Sequence, residues 1–372
     1  MSCKNYSSEQ KEIAEQIIDI YSRFGVKIGD LISVTVGPRV SRYEFPLSPD
    51  TKISKITQLR DDISLMLSVP KVRLTCPVPN KMAFAIEVPN KTEKFVEFDE
   101  VFKSDAFKNS TDKLCIALGK NLSNKNICLE LSKAPHLLID GVMCSGKTTL
   151  LKSIICSLIF NNSPSELKLL LIAPKKDEFQ VFENSGHLLS PVICDKCAAI
   201  EALNNLFKEC ENRIKLFAEH SVKNIDAYNN NADKKLPKIV AIIDETSFLT
   251  EYKLRDFETV ISRLAQLGRV TGIHLILATK DLTSKNVTGI IKANFPTRIA
   301  LSAQNAIESR TIIDVCDAEC LLRKGDLLLC DSMLNKPQRI QVAYITDEQI
   351  KNLIDISNNR TTHILTLHQI IL

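Results

Sequence analysis

The sequence contains no tryptophan, which removes the usual intrinsic fluorescence probe. It has no apolar run close to the roughly 20 residues needed to cross a bilayer, so we predict no membrane segment. The N-terminus, MSCKNYSSEQKE, has no apolar signal core, and this favours a cytoplasmic location. The net charge is only +4, and this mild excess neither requires nor excludes a nucleic-acid partner.

Metal-site and disulfide patterns are also lacking, although the chain has twelve cysteines. Cys194 and Cys197 form a lone CxxC with no second pair at zinc-finger spacing. No histidine near Cys316 and Cys320 completes a ligand set. The cysteines are scattered through apparent strands and helices of an intracellular-looking chain, where thiols stay reduced. We therefore interpret them as structural or incidental.

The length of 372 residues suits two domains. Residues 1–105 mix helix and strand patterns and predict a small α+β domain, with helices at 8–24 and 53–67 and a hairpin around Gly37-Pro38. The polar residues 103–113 mark the predicted boundary.

Residues 106–372 alternate apolar strands with helices. This pattern predicts an α/β domain whose parallel sheet is buried on both faces. We expect strands at 136–139, 167–173, 238–244, 274–279 and 297–302, and helices at 147–160, 197–218 and 252–267.

The stretch GVMCSGKTTL follows the first of these strands and matches G-x-x-x-x-G-K-[ST], a loop that wraps a triphosphate. Its two glycines let backbone amides turn toward phosphate oxygens. The helix that begins near the second glycine adds its positive dipole end. Lys147 is predicted to reach the β- and γ-phosphates, and the Thr148 hydroxyl to hold Mg²⁺. The predicted ATP or GTP site comprises Gly141, Val142, Met143, Cys144, Ser145, Gly146, Lys147 and Thr148.

The apolar strand IVAIIDE supplies two carboxylates at its end. Asp244 is placed to hold Mg²⁺ through water, and Glu245 can align and polarise an attacking water. An alternative is that Glu245 only caps the following helix. A carboxylate base favours ATP hydrolysis over transfer to a small acceptor. Hydrolysis also needs positive charge at the γ-phosphate, and the candidates, one of which could act across a subunit boundary, are Arg269, Arg298 and Arg310.

Several ordered blocks resemble the motor of FtsK/SpoIIIE-type DNA translocases. They include LLIAPKKDEF, LPKIVAIIDE, RLAQLGRVTGIHLILAT and ESRTIIDVCDAECLLRKGDLLL, and the resemblance covers nearly all of the chain. GPRVSRYEFPLSPDTKISK resembles the family's linker domain before the motor. The resemblance implies a hexameric ring of RecA-like subunits that pulls double-stranded DNA through a central channel using ATP. It also implies that the nucleotide lies between subunits.

The same resemblance implies roles for particular side chains. Arg269, in GRVTGIH, aligns with the arginine that the neighbouring subunit inserts, as an arginine finger does. Loops facing the channel need lysine or arginine to grip DNA phosphates with little base reading. The lysines that suit this task are Lys280, Lys285 and Lys292, with Lys175 and Lys176 as weaker candidates.

The chain departs from the family's pattern after one strand, where ATQRP is ATKDL here. Lys280 replaces a glutamine that senses the γ-phosphate, and Asp281 reverses the charge of a DNA-gripping arginine. Ala306 stands where the family often has a lysine. These changes affect residues that would couple hydrolysis to DNA. The residues predicted to carry out hydrolysis itself are all present. The resemblance does not extend to the family's membrane anchor or C-terminal winged-helix domain, so we expect neither part in this sequence.

The leading hypothesis is therefore an ATP-driven double-stranded DNA translocase for a chromosome, a plasmid or a mobile element. A second is a coupling ATPase that feeds DNA or protein into a conjugation or secretion system. A third is a degenerate ring subunit that binds ATP and DNA but moves poorly. A small-molecule kinase is disfavoured because no lid-like module follows the loop. An unidentified membrane or recombinase partner stays open.

Overall fold

The computed structural model describes residues 6–280, 288–331, 334 and 336–359. Its N-terminal part is a four-stranded antiparallel sheet in the order β1-β2-β4-β3, packed with three helices. The elements are α1 (Ser8–Arg23), β1 (Ser33–Val36), β2 (Val40–Pro46), α2 (Ile53–Gln58), α3 (Arg60–Met66), β3 (Arg73–Thr75) and β4 (Ala83–Pro89).

Local chemistry explains the first helix. Ser7 and Gln10 form a reciprocal capping box at its start. Gly25, just after its end, adopts φ +71°, a conformation that favours glycine. Ile17 and Tyr21 lie on its buried face. The helix predicted over 8–24 is confirmed, whereas the one predicted over 53–67 is two short helices, α2 and α3.

The second part is a nine-stranded sheet with helices on both sides. Its elements are α4 (Phe98–Phe102), α5 (Asp105–Lys108), β5 (Cys115–Asn121), β6 (Asn126–Glu130), β7 (His136–Asp140), α6 (Lys147–Asn161), β8 (Leu167–Ile172), α7 (Lys196–Glu219), α8 (Ile225–Asn231), β9 (Lys238–Ile243), α9 (Ser247–Thr271), β10 (Ile273–Thr279), α10 (Gly289–Asn294), β11 (Thr297–Ala300), α11 (Ala306–Ile313), β12 (Asp326–Cys330), β13 (Gln338–Val342) and α12 (Asp347–Asn359). Short 3₁₀ turns cover Lys176–Glu178, Gln180–Phe182 and Ala318–Cys320.

The strand order is β6-β5-β13-β12-β11-β7-β10-β9-β8. The five strands from β11 to β8 are parallel, as predicted. On β7, Leu137 and Ile139 enter one apolar cluster and Leu138 enters the other, so both faces of the sheet are buried. Four further strands, which the sequence analysis did not include in this sheet, extend one edge in antiparallel pairs.

Apolar side chains on both sides of the predicted boundary pack into the second part. Phe98, Phe102 and Phe107 are buried in the core of the second part, together with Val96. Polar residues surround these apolar side chains in the sequence around α4 and α5, so composition alone does not indicate that they are buried. The boundary at residue 105 stays a prediction from the sequence.

Buried charge joins the two parts. The Glu87 carboxylate of β4 lies 3.1 Å from Arg73 and 2.8 Å from Arg339 of β13, and its side chain is fully buried. Arg339 also pairs with Asp326 at 2.6 Å. Each charge is thus neutralised at hydrogen-bond distance, which a buried ion pair requires.

Candidate active site

The loop between β7 and α6 has the conformation that its glycines predict. Gly146 adopts φ +105°, and a side chain there would collide with the backbone of Gly325. A Cβ on Gly141 would lie 2.7 Å from that of Leu301. The Gly325 amide donates to the Ser145 carbonyl at 2.7 Å and holds the loop from outside. The first amides of a helix have no intrahelical acceptor, so those of α6 face the loop's concave side.

The loop opens onto a cavity of about 530 Å³, a size typical of small-molecule sites. Asp244 and Glu245 reach this cavity from the end of β9, and Lys280 reaches it from the end of β10. Because β7, β9 and β10 are parallel, their carboxyl ends meet at one edge of the sheet. The strand order thereby brings together residues about 100 positions apart in the chain.

Three predicted site residues converge there. The Lys147 ammonium lies 3.5 Å from Asp244 Oδ1 and 3.6 Å from Glu245 Oε2. All three side chains are largely buried. The arrangement places one cation and two carboxylates beside a loop built to hold an anion.

Glu245 is held in a definite orientation. Its backbone adopts φ +69°, which is uncommon for a residue with a side chain and is often found at functional sites. The Ser247 hydroxyl donates to Glu245 Oε1 at 2.6 Å. The Lys280 ammonium lies 3.5 Å from Oε2. Within the described residues, no amide of α9 is bonded to this carboxylate, so the geometry does not support a capping role.

Four buried polar atoms around the loop lack a hydrogen bond within the described part of the chain. They are Asp140 Oδ1, Ser145 Oγ, Asp244 Oδ1 and Thr246 Oγ1. Buried polar groups are normally satisfied. Burial raises the pKa of Asp140 to about 8, although Lys147 opposes the shift. Burial likewise raises the pKa of Asp244 against the effect of Lys147. A polar, charged ligand would supply hydrogen-bond partners for these buried atoms.

The donor set fits Mg²⁺ together with a triphosphate. The Thr148 hydroxyl donates to Glu178 Oε2 at 3.1 Å, and Asp244 presents an oxygen with no hydrogen bond. Mg²⁺ in phosphate sites takes one or two protein oxygens and completes its shell with phosphate and water. Sequence reasoning missed Glu178, although it lies in the quoted block LLIAPKKDEF; only the turn after β8 brings it to the loop.

The three candidate arginines are distributed differently. Arg269 is exposed in the last turn of α9, just before β10 begins. It therefore lies at the sheet edge opposite the phosphate loop, about 20 Å away along β10. Arg298 donates to the carbonyls of Phe295 and Ile312 at 2.9 and 3.1 Å, so its guanidinium has a structural role. Arg310 is exposed on α11.

The lysines predicted to grip DNA are also separated. Lys280 lines the cavity beside the phosphate loop, and its side chain is half exposed. Lys292 pairs with Asp314 at 2.7 Å. Lys285 lies outside the described residues. Of the weaker candidates, Lys175 lines the cavity and Lys176 pairs with Glu183 at 2.9 Å.

None of the described helices combines the length and apolarity needed for a membrane span.

Comparison with known proteins gives consistent matches over most of the chain. The sequence model of the FtsK/SpoIIIE family matches residues 97–285, and that of the FtsK alpha domain matches residues 2–90. The chain is 42% identical to the DNA translocase FtsK of Clostridium acetobutylicum over 95% of its length, which is 47% of that relative. It is 41% identical to the DNA translocase SftA of Bacillus subtilis over 92% of its length and 37% of the relative. The chain thus spans less than half the length of these relatives.

Solved structures share the fold. The pCW3 conjugation coupling protein TcpA, in its monomer form with ATPγS, aligns with a TM-score of 0.65 and 22% identity, covering 93% of this chain and 99% of that one. EssC (ATPases 2 and 3) from Geobacillus thermodenitrificans aligns with a TM-score of 0.63 and 17% identity, covering 74% of this chain and 53% of that one. At these identities, the likeness establishes an ATPase fold.

Proposed function

The chain belongs to the FtsK/SpoIIIE family, and from this premise we propose that it hydrolyses ATP to move double-stranded DNA. We further propose that it works in the cytoplasm as a hexameric ring of identical subunits. The observation that supports hydrolysis best is the convergence of Lys147, Asp244 and Glu245 on one cavity beside the phosphate loop. Identities of about 40% with DNA translocases support DNA as the cargo.

In this proposal, the loop amides and Lys147 bind the β- and γ-phosphates. Thr148 and Asp244 would hold Mg²⁺, whose positive charge would offset that of the phosphates. As the phosphates draw Lys147 toward them, its contacts with the two carboxylates loosen. The loop and the lysine thus fix the position of the bond to be broken.

Glu245 is the proposed general base. Its Oε1 is held by Ser247. Its Oε2 faces Lys147 and Lys280 at 3.6 and 3.5 Å and is the oxygen that would accept a hydrogen bond from a water. A carboxylate oriented in this way can direct the water at the γ-phosphorus and accept its proton. The left-handed backbone of Glu245 turns the side chain into the cavity rather than along the helix.

Arg269 is the proposed trans-acting residue. It is exposed, and it lies too far from its own phosphate loop to reach the γ-phosphate. In a ring, an arginine at that edge can face the loop of the next subunit. Arg269→Ala should lower turnover at least about a hundredfold. Mixing this variant with Lys147→Ala should restore part of the activity, because each interface at which a Lys147→Ala subunit presents its Arg269 to an Arg269→Ala subunit combines both intact residues. Mixtures that stay inactive would contradict action in trans.

The function as a whole is tested by steady-state ATP turnover with and without long double-stranded DNA, at two salt concentrations. We expect strong stimulation that declines with salt, because phosphate contacts weaken as counterions compete. Turnover indifferent to DNA would contradict DNA movement and favour a coupling ATPase. Binding of ATP without turnover under either condition would favour a degenerate subunit.

A further inference from the structure

Two exposed aromatic side chains lie on the wall of the same cavity as the phosphate loop. Phe95 is 65% exposed and Tyr344 is 47% exposed. Their ring centroids are 6.4 Å apart, with an angle of 53° between the planes. Both line the cavity that contains Lys147 and Thr148. Neither ring is buried in the core, so core packing does not explain the choice of large aromatic residues.

The backbone beneath the two rings is well held. The Tyr344 amide donates to the Val96 carbonyl at 2.8 Å, and the Phe98 amide donates to the Tyr344 carbonyl at 3.0 Å. Val96 is buried in the core of the second part. The two side chains are therefore presented to the cavity from a fixed support, with their faces accessible to a ligand.

We propose that Phe95 and Tyr344 form a stacking platform for the base of the nucleotide whose phosphates lie on the loop. This inference rests on the proposed function and adds to it the subsite that receives the base. The cavity is lined both by the phosphate loop with its charged side chains and by the two aromatic rings with Val342. A nucleoside triphosphate has groups that suit both, with charged phosphates at one end and a flat, weakly polar base at the other.

Stacking on aromatic rings contributes through the face of the base and not through its hydrogen-bonding edge, so it tolerates any base. A purine covers more of the platform than a pyrimidine does and should therefore bind more tightly. The platform accordingly implies a preference for purine over pyrimidine nucleotides, with little discrimination between adenine and guanine.

Phe95 also lies between the two regions that the family models match. The neighbouring Lys94 amide donates to the Pro38 carbonyl of the N-terminal part at 3.0 Å. A base bound on the platform thus contacts the segment that connects the two parts of the chain.

The test compares two ligands that share phosphates and differ in the base-bearing half. The full chain, with Mg²⁺ present, is titrated calorimetrically with ADP and separately with pyrophosphate. The double variant Phe95→Ala/Tyr344→Ala should bind ADP at least about fivefold more weakly than the wild type. Pyrophosphate affinity should stay within twofold. Tyr344→Phe keeps the ring and should bind ADP normally, and Phe24→Ala removes a similarly exposed ring outside the cavity.

Each other outcome has a definite meaning. Unchanged ADP affinity in the double variant would overturn the platform. Equal weakening of ADP and pyrophosphate would also overturn it, because the rings would then support the phosphate loop. Lys147→Ala should weaken both ligands. A wild-type chain that binds neither ligand would refute the proposed function itself and, with it, this inference.

Discussion

Glu87 and Glu245 are both buried carboxylates that face more than one cation, but the nearest cations lie at different distances. Glu87 is contacted by Arg73 and Arg339 at 3.1 and 2.8 Å and has no exposed side-chain surface. Glu245 faces Lys147 and Lys280 only at 3.6 and 3.5 Å, beside an open cavity. In the first, which we call the closed cluster, Glu87 is paired with arginines at hydrogen-bond distance. The second, the open cluster of Glu245, Lys147 and Lys280, leaves room for another charged group.

The pKa of Glu87 agrees with this distinction. Burial by itself raises it, but Arg73 and Arg339 together lower it below the ordinary value. Around Glu245, by contrast, burial dominates and raises the pKa of Asp140 and Asp244. In the cluster around Glu87, which stabilises the fold, opposite charges neutralise one another. In the cluster around Glu245, the pairing of the charges would be completed by a bound ligand.

The largest expected effect comes from removing the cation of the open cluster. Lys147→Ala should lower ATP turnover about 10³-fold or more, since it removes positive charge from the phosphoryl group. The free energy of unfolding should change little, because the ion pairs of Lys147 are long. Turnover and urea unfolding are measured on the same preparation. Normal turnover in this variant would disprove the assignment of the phosphate loop.

The closed cluster should behave in the opposite way. Glu87→Gln leaves Arg73 and Arg339 without their shared anion and should lower the free energy of unfolding by about 3–5 kcal/mol. Urea denaturation monitored by circular dichroism measures the loss. Glu9→Gln, which breaks an exposed pair with Lys91 at 3.7 Å, is the control and should cost at most about 1 kcal/mol. Equal losses of unfolding free energy in the two variants would mean that the buried ion pairs of Glu87 stabilise the fold no more than an exposed pair does.

A smaller effect tests the second cation of the open cluster. Lys280→Gln removes one of the two charges facing Glu245 and should lower turnover without DNA about tenfold, a modest effect because Lys280 is half exposed. Lys253→Gln is the matched control, since Lys253 is equally exposed and pairs with Asp256 outside the cavity.

The opposite result would restore the DNA-binding role expected for Lys280 from the sequence. In that case basal turnover would be unchanged, and the salt dependence of DNA binding would fall by about one phosphate contact.

The elements around the site were largely predictable because their signals are local. The loop motif, the strand before it and the helix after it are contiguous, and glycine is required where φ is positive or the backbone is close. The parallel strands were visible as short apolar runs between helical segments. The antiparallel extension from β12 to β6 was missed, since its strands are less uniformly apolar and pair with partners distant in the chain.

The roles of the cationic side chains were harder to predict. A lysine or arginine in a loop can contact a ligand, pair with an acidic side chain of its own chain or remain exposed. The sequence does not show which partner it has. Arg298 and Lys292 resemble free cations in the sequence, but both are engaged with their own chain. Glu178 has no motif position of its own and reaches Thr148 only through the turn after β8.

Local sequence patterns suffice to identify a phosphate loop between a strand and a helix, a second strand followed by Asp244-Glu245, and the ordered blocks of the family. These features depend on backbone conformation and on neighbours within a few residues. The folded chain was needed to show that Lys280 faces Glu245, that Arg269 lies at the opposite edge, and that Phe95 and Tyr344 share one cavity wall. Those facts depend on strand order and on contacts between distant segments, which short-range patterns do not encode.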